Sequence, residues 1–179
     1  MIKKILIAIA AIIVVFLVIV AMQPSEFRVA RTATMLAPAS AVFVHVNELK
    51  KWEAWSPWAK LDPAMKQKYE GPAAGVGAVS SWAGNNQVGE GRMTITESRT
   101  NELVRFNLEF FKPMAGTSTS EFSFKPEGNQ TSVTWSMSGQ NNFIGKAMCL
   151  FMNMDKMMGG QFETGLASMK SIVEAPPKK

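Results

Sequence analysis

The chain has 179 residues, a formal net charge of +5 and an apolar content of 47%. These figures mix two unlike parts: residues 1–22 hold 20 of about 84 apolar residues, leaving about 64 of 157, an ordinary share for a soluble domain. Lys3, Lys4, Lys178 and Lys179 supply four of the nineteen positive charges, so the rest of the chain sets fifteen against fourteen acids. A basic nucleic-acid-binding surface, a disordered chain, a disulfide framework and a multispanning membrane protein are excluded on these grounds. The remaining length suits one domain with a real core.

Ile5 to Met22 is an eighteen-residue run without a charged or polar side chain. As a helix it would span about 27 Å, close to the hydrocarbon thickness of a bilayer. Lys3 and Lys4 precede it and Gln23-Pro24-Ser25 ends it. A cleaved signal peptide would have a shorter apolar region, and Ala21-Met22-Gln23 is a poor cleavage pattern. Residues 1–24 are therefore expected to form a single-pass anchor, with its lysines cytoplasmic and the following domain extracytoplasmic, periplasmic or extracellular. Residues 25–175 form that domain, and 176–179 a basic tail. Cys149 has no partner for an internal disulfide, so cysteine usage does not bear on the compartment.

Phe27 to Leu36 is rich in strand formers. Ala37-Pro38-Ala39-Ser40 then reads as a helix start, continued by Val42, Val46 and Leu49 at helical spacing to about Lys51. Trp52, Trp55 and Trp58, closed by Pro57, predict an irregular aromatic cap, and Asp62 to Met65 one short helical turn. From Lys66 the pattern is β, with Ala78 to Trp82 a strand and Gly84-Asn85-Asn86 a hairpin tip.

Longer alternating strands follow. Gly91 to Arg99 puts Met93 and Ile95 on one face, and Leu103 to Lys112 aligns Val104, Phe106, Leu108 and Phe110. Phe122 and Phe124 alternate with polar residues, as do Val133, Trp135 and Met137 after the turn at Glu127-Gly128-Asn129. Period-2 patterning of this kind predicts an antiparallel sheet with one covered and one wet face. Phe143 to Val173 is a long helical stretch with Ile144, Met148, Phe151, Met158, Phe162, Leu166, Met169 and Val173 in one phase. Gly159-Gly160 is expected to bend or break it.

Much chemistry is missing from this composition. A single histidine, His45, rules out a histidine metal triad, and it reads as a packing or surface residue. Gly75-Val76-Gly77 and Gly89-Glu90-Gly91 lack the rest of a phosphate-loop or dinucleotide fingerprint and read as turn or bulge glycines. The sequon Asn129-Gln130-Thr131 sits at a predicted turn, and Cys149 beside an apolar helical face reads as an inert thiol. No metal or redox cofactor is expected. The unusual feature is the crowding of Met148, Met152, Met154, Met157 and Met158 with Met169 beyond, which reads either as gap-filling core or as an adaptable apolar wall.

The order of strand, helix, aromatic break, antiparallel strands and long terminal helix resembles the START-like helix-grip superfamily. More narrowly, it resembles the polyketide cyclase/dehydrase and lipid-transport (SRPBCC) family. The resemblance rests on Pro38 to Phe43, on Trp52-x-x-Trp55-Ser56-Pro57-Trp58, and on Gly75-Val76-Gly77-Ala78 and Trp82-x-Gly84-Asn85. Gly89-x-Gly91-Arg92-Met93-Thr94-Ile95, Thr131-x-Val133-Thr134-Trp135-x-Met137-x-Gly139 and Phe162-Glu163-x-Gly165-Leu166-x-x-Met169-Lys170 complete it, over about residues 26–174. It implies an α+β fold, a curved antiparallel sheet wrapped on the C-terminal helix, to which the expected transmembrane helix is an addition at the N-terminal side.

The family includes cyclases, lipid carriers and chaperone activators, so fold does not fix function. Three readings follow. The first is a membrane-tethered binding module for a hydrophobic small molecule or lipid, with Trp55, Trp82, Phe106, Phe110, Trp135, Met148, Met152 and Phe162 as its cavity wall. The second is a cyclase or dehydratase, which needs an acid or base aimed inward, with Arg92, Glu97, Arg99 and Glu109 as candidates. Alternation turns Arg92 and Glu109 outward, whereas Glu97 and Arg99 share the parity of Met93 and Ile95 near the strand's end. The third is a protein-interaction domain without a small ligand that docks through exposed tryptophans of the Trp52–Trp58 segment.

Overall fold

The apolar N-terminal run forms helix α1 (Ile2–Met22), long and apolar enough to cross a membrane by length and composition. The computed structural model describes residues 1–176, so the end of the expected basic tail, residues 177–179, lies outside the described residues. After α1 come β1 (Glu26–Met35), α2 (Ala39–Asn47), a 3-10 segment (Leu49–Ala54) and α3 (Pro57–Leu61). Six strands follow: β2 (Lys66–Glu70), β3 (Val79–Ala83), β4 (Glu90–Arg99), β5 (Leu103–Lys112), β6 (Gly116–Glu127) and β7 (Gln130–Gln140). Two helices, α4 (Phe143–Cys149) and α5 (Met154–Val173), close the fold.

The seven strands make one antiparallel sheet in the order β1-β7-β6-β5-β4-β3-β2. Its register converts the period-2 patterns into two faces. Val29, Met137, Ser120 and Phe106 share a row across β1, β7, β6 and β5, as do Arg31, Trp135, Phe122 and Val104. These are the inner face, which α2, the 3-10 segment and α5 cover. Charged residues of the middle strands face out and pair across them, as Arg92 does with Glu109 at 2.8 Å and Arg105 with Glu121 at 2.8 Å.

Because the strands alternate in direction, the start of β1, beside the end of α1, defines a proximal end of the domain. The end of β7, the start of β6, the β5–β6 turn, the start of β4 and the end of β3 lie at this same end. The β1–α2 and β2–β3 connections lie at the distal end.

The Trp-rich segment is an interior element. Trp52 Nε1 donates to the Val46 carbonyl and Trp55 Nε1 to the His45 carbonyl, each at 3.0 Å, so both indoles satisfy carbonyls at the C-terminal end of α2. Both rings are buried, and Trp58 is half-buried with its ring 5.6 Å from that of Trp135, so the segment presents no exposed tryptophan of the kind the interaction-domain reading requires.

Two further expectations are corrected. The C-terminal helical stretch breaks at residues 150–153, before the glycine pair. The cause is capping: Asn142 Oδ1 accepts from the Gly145 amide to start α4, and Asn153 Oδ1 accepts from the Lys156 amide to start α5. α5 runs unbroken through Gly159 and Gly160. The break also ends the common phase: Phe162, Leu166 and Met169 are buried, while Ile144 and Phe151 are exposed.

The second correction concerns β4. Ile95 pairs with Phe106 but Glu97 pairs with the next residue, Arg105, so Thr96 is an inserted bulge residue. The bulge reverses parity, and Glu97 joins the outer face, where it bonds Arg105 and lies 3.1 Å from Arg99.

Candidate functional site

The inner face divides into a filled half and an open half. In the filled half Trp135 stacks on Phe162 at 4.2 Å and on Phe122 at 4.7 Å, and Trp55 meets Trp135 edge-on at 5.5 Å. Trp52 touches Phe106 at 5.4 Å in the same cluster. Four of the eight anticipated cavity residues, Trp55, Phe106, Trp135 and Phe162, thus come together as close-packed core. Trp135 Nε1 donates to Ser120 Oγ at 3.0 Å, and Ser120 Oγ in turn donates to the Ser136 carbonyl. The indole N–H groups of Trp52, Trp55 and Trp135 are therefore all satisfied within the protein.

The other four candidates lie in two separate places. Trp82 and Phe110 form an edge-on pair at 6.0 Å on the proximal part of β3 and β5, where both are half-buried. Gly91 between them is required: a Cβ there would overlap the Trp82 ring. Met148 lies in the last turn of α4, and its carbonyl accepts the Met152 amide at 2.9 Å across the turn into α5. Met148 is half-buried and Met152 exposed.

Strand alternation and the helical phase of α5 also mark residues that the cavity list omitted. Phe27, Met93, Leu108 and Met158 are half-buried against the core and extend the apolar inner face to its proximal end. Leu108 and Met93 were legible from strand parity alone. Phe27 was masked by its position directly after the anchor-like run.

The ionisable groups on this face are few and engaged. Among the described residues the ionisable side chains at inward-facing strand positions are Arg31 and Tyr69. Arg31 bonds Glu163 at 2.7 Å and Asp155 at 2.9 Å on α5. The Tyr69 hydroxyl bonds Glu53 at 2.7 Å and also Gln67. Burial, aided by Glu53, pushes that hydroxyl well above the usual phenol range. All four candidate acid–base residues, Arg92, Glu97, Arg99 and Glu109, lie in outward ion pairs. No group of three or more metal-ligating side chains occurs among the described residues.

An open depression of about 770 Å³ lies at the proximal end of β1, β7 and β6. Its lining is mostly outer-face and polar, with Arg28, Asn107, Thr119, Ser138 and Asn142. It meets the inner face at Phe27, Gly116, Ser118 and Gly139.

A curved antiparallel sheet closed over a long C-terminal helix places the protein in the helix-grip class. The chain belongs to the polyketide cyclase/dehydrase and lipid-transport family, whose model matches residues 26–174. No curated protein matches it in sequence. Solved structures share the fold at low identity. A protein from Chromobacterium violaceum is 14% identical, covers 86% of this chain and 99% of its own, and has a TM-score of 0.60. The dimeric Aha1 of Colwellia psychrerythraea is 15% identical over 85% of this chain and 99% of its own, also at 0.60. The di-domain ARO/CYC protein BexL of the BE-7585A biosynthetic pathway is 14% identical over 89% of this chain and 53% of its own, at 0.62.

Proposed function

We infer that the protein is a membrane-anchored binding module for a hydrophobic small molecule or lipid. α1 crosses the membrane with Lys3 and Lys4 on the cytoplasmic side, and the domain stands outside the cytoplasm. The observation that carries this reading is the position of the open apolar surface. The inner face is filled in its distal and central part and left half-exposed at the end where α1 enters. Phe27, Met93, Leu108, Trp82 and Phe110 form the floor of the binding site, and Met148 and Met152 supply an adaptable flank.

Binding is favoured over a cyclase or dehydratase activity by the engagement of the inner ionisable groups. Arg31 is held by two carboxylates, and Tyr69 by Glu53 and Gln67. Neither is free to meet a substrate proton. The family's description, which includes lipid transport, agrees with a carrier.

The test is native mass spectrometry and solvent extraction of the full chain purified in lipid nanodiscs. Recovery of a tightly held apolar molecule, absent from empty nanodiscs, is the expected result. A ligand-free protein with no affinity for fatty acids, phospholipids or quinones would refute the reading.

A further inference from the structure

Exposed apolar side chains are unevenly spread over the domain. Of the ten large ones that follow α1, seven lie at the proximal end, and only Leu36 and Val76 lie at the distal end. Singly scattered apolar residues need no explanation, but a concentration at one end marks an interaction surface. They fall on two elements. One is the β5–β6 turn with Phe111 and Met114. The other runs from α4 to the start of α5, with Phe143, Ile144 and Phe151.

Two contacts fix the level of the second element against α1. The Phe151 ring lies 6.4 Å from the Phe16 ring, although Phe151 remains 79% exposed. Phe16 stands six residues before Met22, the last residue of α1, about 9 Å back along the helix axis. Lys146 Nζ lies 3.4 Å from the Ala21 carbonyl, level with the end of α1. An aromatic ring one and a half turns inside the helix end, with an ammonium group at that end, matches the depth profile of a bilayer's hydrocarbon edge and headgroup layer.

We propose that the proximal end of the domain is a docking face for the leaflet from which α1 emerges. α4 and the Phe151 turn lie within the edge of the hydrocarbon, and the Phe111–Met114 turn rests on the same surface. The open inner face then meets the bilayer directly, so a lipid can pass between them without crossing water. This rests on the reading of α1 as a membrane span, and the experiment separates the two.

The full chain is prepared with Cys149→Ser, which removes its single cysteine. Ile12→Cys, Met114→Cys, Phe151→Cys and Leu36→Cys are then introduced singly and labelled with an environment-sensitive fluorophore. Each is reconstituted in phosphatidylcholine–phosphatidylglycerol vesicles with or without brominated acyl chains. Labels at 12, 114 and 151 are expected to lose at least about half their emission to bromolipid, while a label at 36 keeps its own. Quenching at 12 with water-like emission at 114 and 151 would overturn the docking face and leave the anchor standing. Absence of quenching at all four positions would overturn both. A label at 151 that is shielded from water yet untouched by bromolipid would assign that surface to a protein contact, such as a second copy, and would also overturn the proposal.

Discussion

Arg31 reaches from the inner face of β1 across α5 to Asp155, with Nη2 2.9 Å from Oδ2, while its Nε holds Glu163 at 2.7 Å. The hydrogen bond from Arg31 holds the Asp155 carboxyl below its ordinary value, and the charge of Arg31 acts in the same direction. A carboxylate with a depressed folded-state pKa adds stability that is complete above its unfolded pKa and is lost as pH falls through the folded one. Thermal unfolding of the full chain in detergent should therefore show a midpoint that drops below about pH 4. Asp155→Asn should lower the midpoint at neutral pH and flatten its acid dependence. An unchanged acid limb in that variant would remove Asp155 from the linkage.

The same arginine explains why two adjacent glycines in α5 are not equivalent. A Cβ at Gly159 would overlap the Arg31 guanidinium, whereas nothing lies within 4 Å of one at Gly160. Gly160→Ala should stabilise the protein by about 0.5–1 kcal/mol, the usual helix-propensity gain. Gly159→Ala should forfeit that gain by displacing Arg31 from Asp155, and should fall below Gly160→Ala by about 1 kcal/mol or more. Denaturant midpoints of the two variants provide the comparison.

These details show where reading the sequence succeeds and where it stops. The strand pattern, the Trp52–Trp58 break and the terminal helix were legible because alternation and helical spacing follow from burial on one face. Glu97 was misplaced because counting by twos assumes a regular ladder, and nothing local announced the extra residue at Thr96. Propensity alone points to Gly159-Gly160 as the helix break. Asn153 was a visible capping residue, and the reason for Gly159 lay 128 positions away in Arg31. Aromatic residues on the inner face could be named, but which of them fill the core and which border open space depends on where α5 sits.

Trp135 gives a measure of how tightly the filled half is specified. Ser120 is buried, and its Oγ is the acceptor of the Trp135 indole N–H at 3.0 Å. Ser120→Ala leaves that donor without a partner in an apolar cluster, at a cost of about 1–3 kcal/mol. Equilibrium unfolding followed by tryptophan fluorescence should show the loss. A change under a few tenths of a kcal/mol would mean that another acceptor takes over.

His45 should act as a second pH-dependent element. Its Nδ1 is buried without a hydrogen-bond partner, and burial lowers its pKa, with Lys51 adding to the effect. A histidine held neutral in the folded state contributes stability that is complete above its unfolded pKa of about 6.5 and declines as pH falls toward the folded value. The unfolding midpoint should thus decrease from about pH 7 to pH 5. His45→Gln should remove that slope. Titration of the imidazole by NMR at or above its ordinary value would contradict the assignment.

The division of the inner face into core and open surface predicts opposite behaviour for two phenylalanines on one strand. Phe106 and Phe110 share the inner parity of β5, yet Phe106 is fully buried against Trp52 and Phe122, while Phe110 is half-buried beside Trp82. Phe106→Ala opens a cavity in packed core and should cost about 3–5 kcal/mol. Phe110→Ala removes a ring already partly in contact with solvent, so its stability cost should be well below that of Phe106→Ala. If the open half is the binding surface, Phe110→Ala should instead reduce the co-purified apolar ligand several-fold in proteins matched for folded fraction. Loss of ligand only in the unstable Phe106→Ala protein, with full retention in Phe110→Ala, would move the binding site away from the Trp82–Phe110 pair.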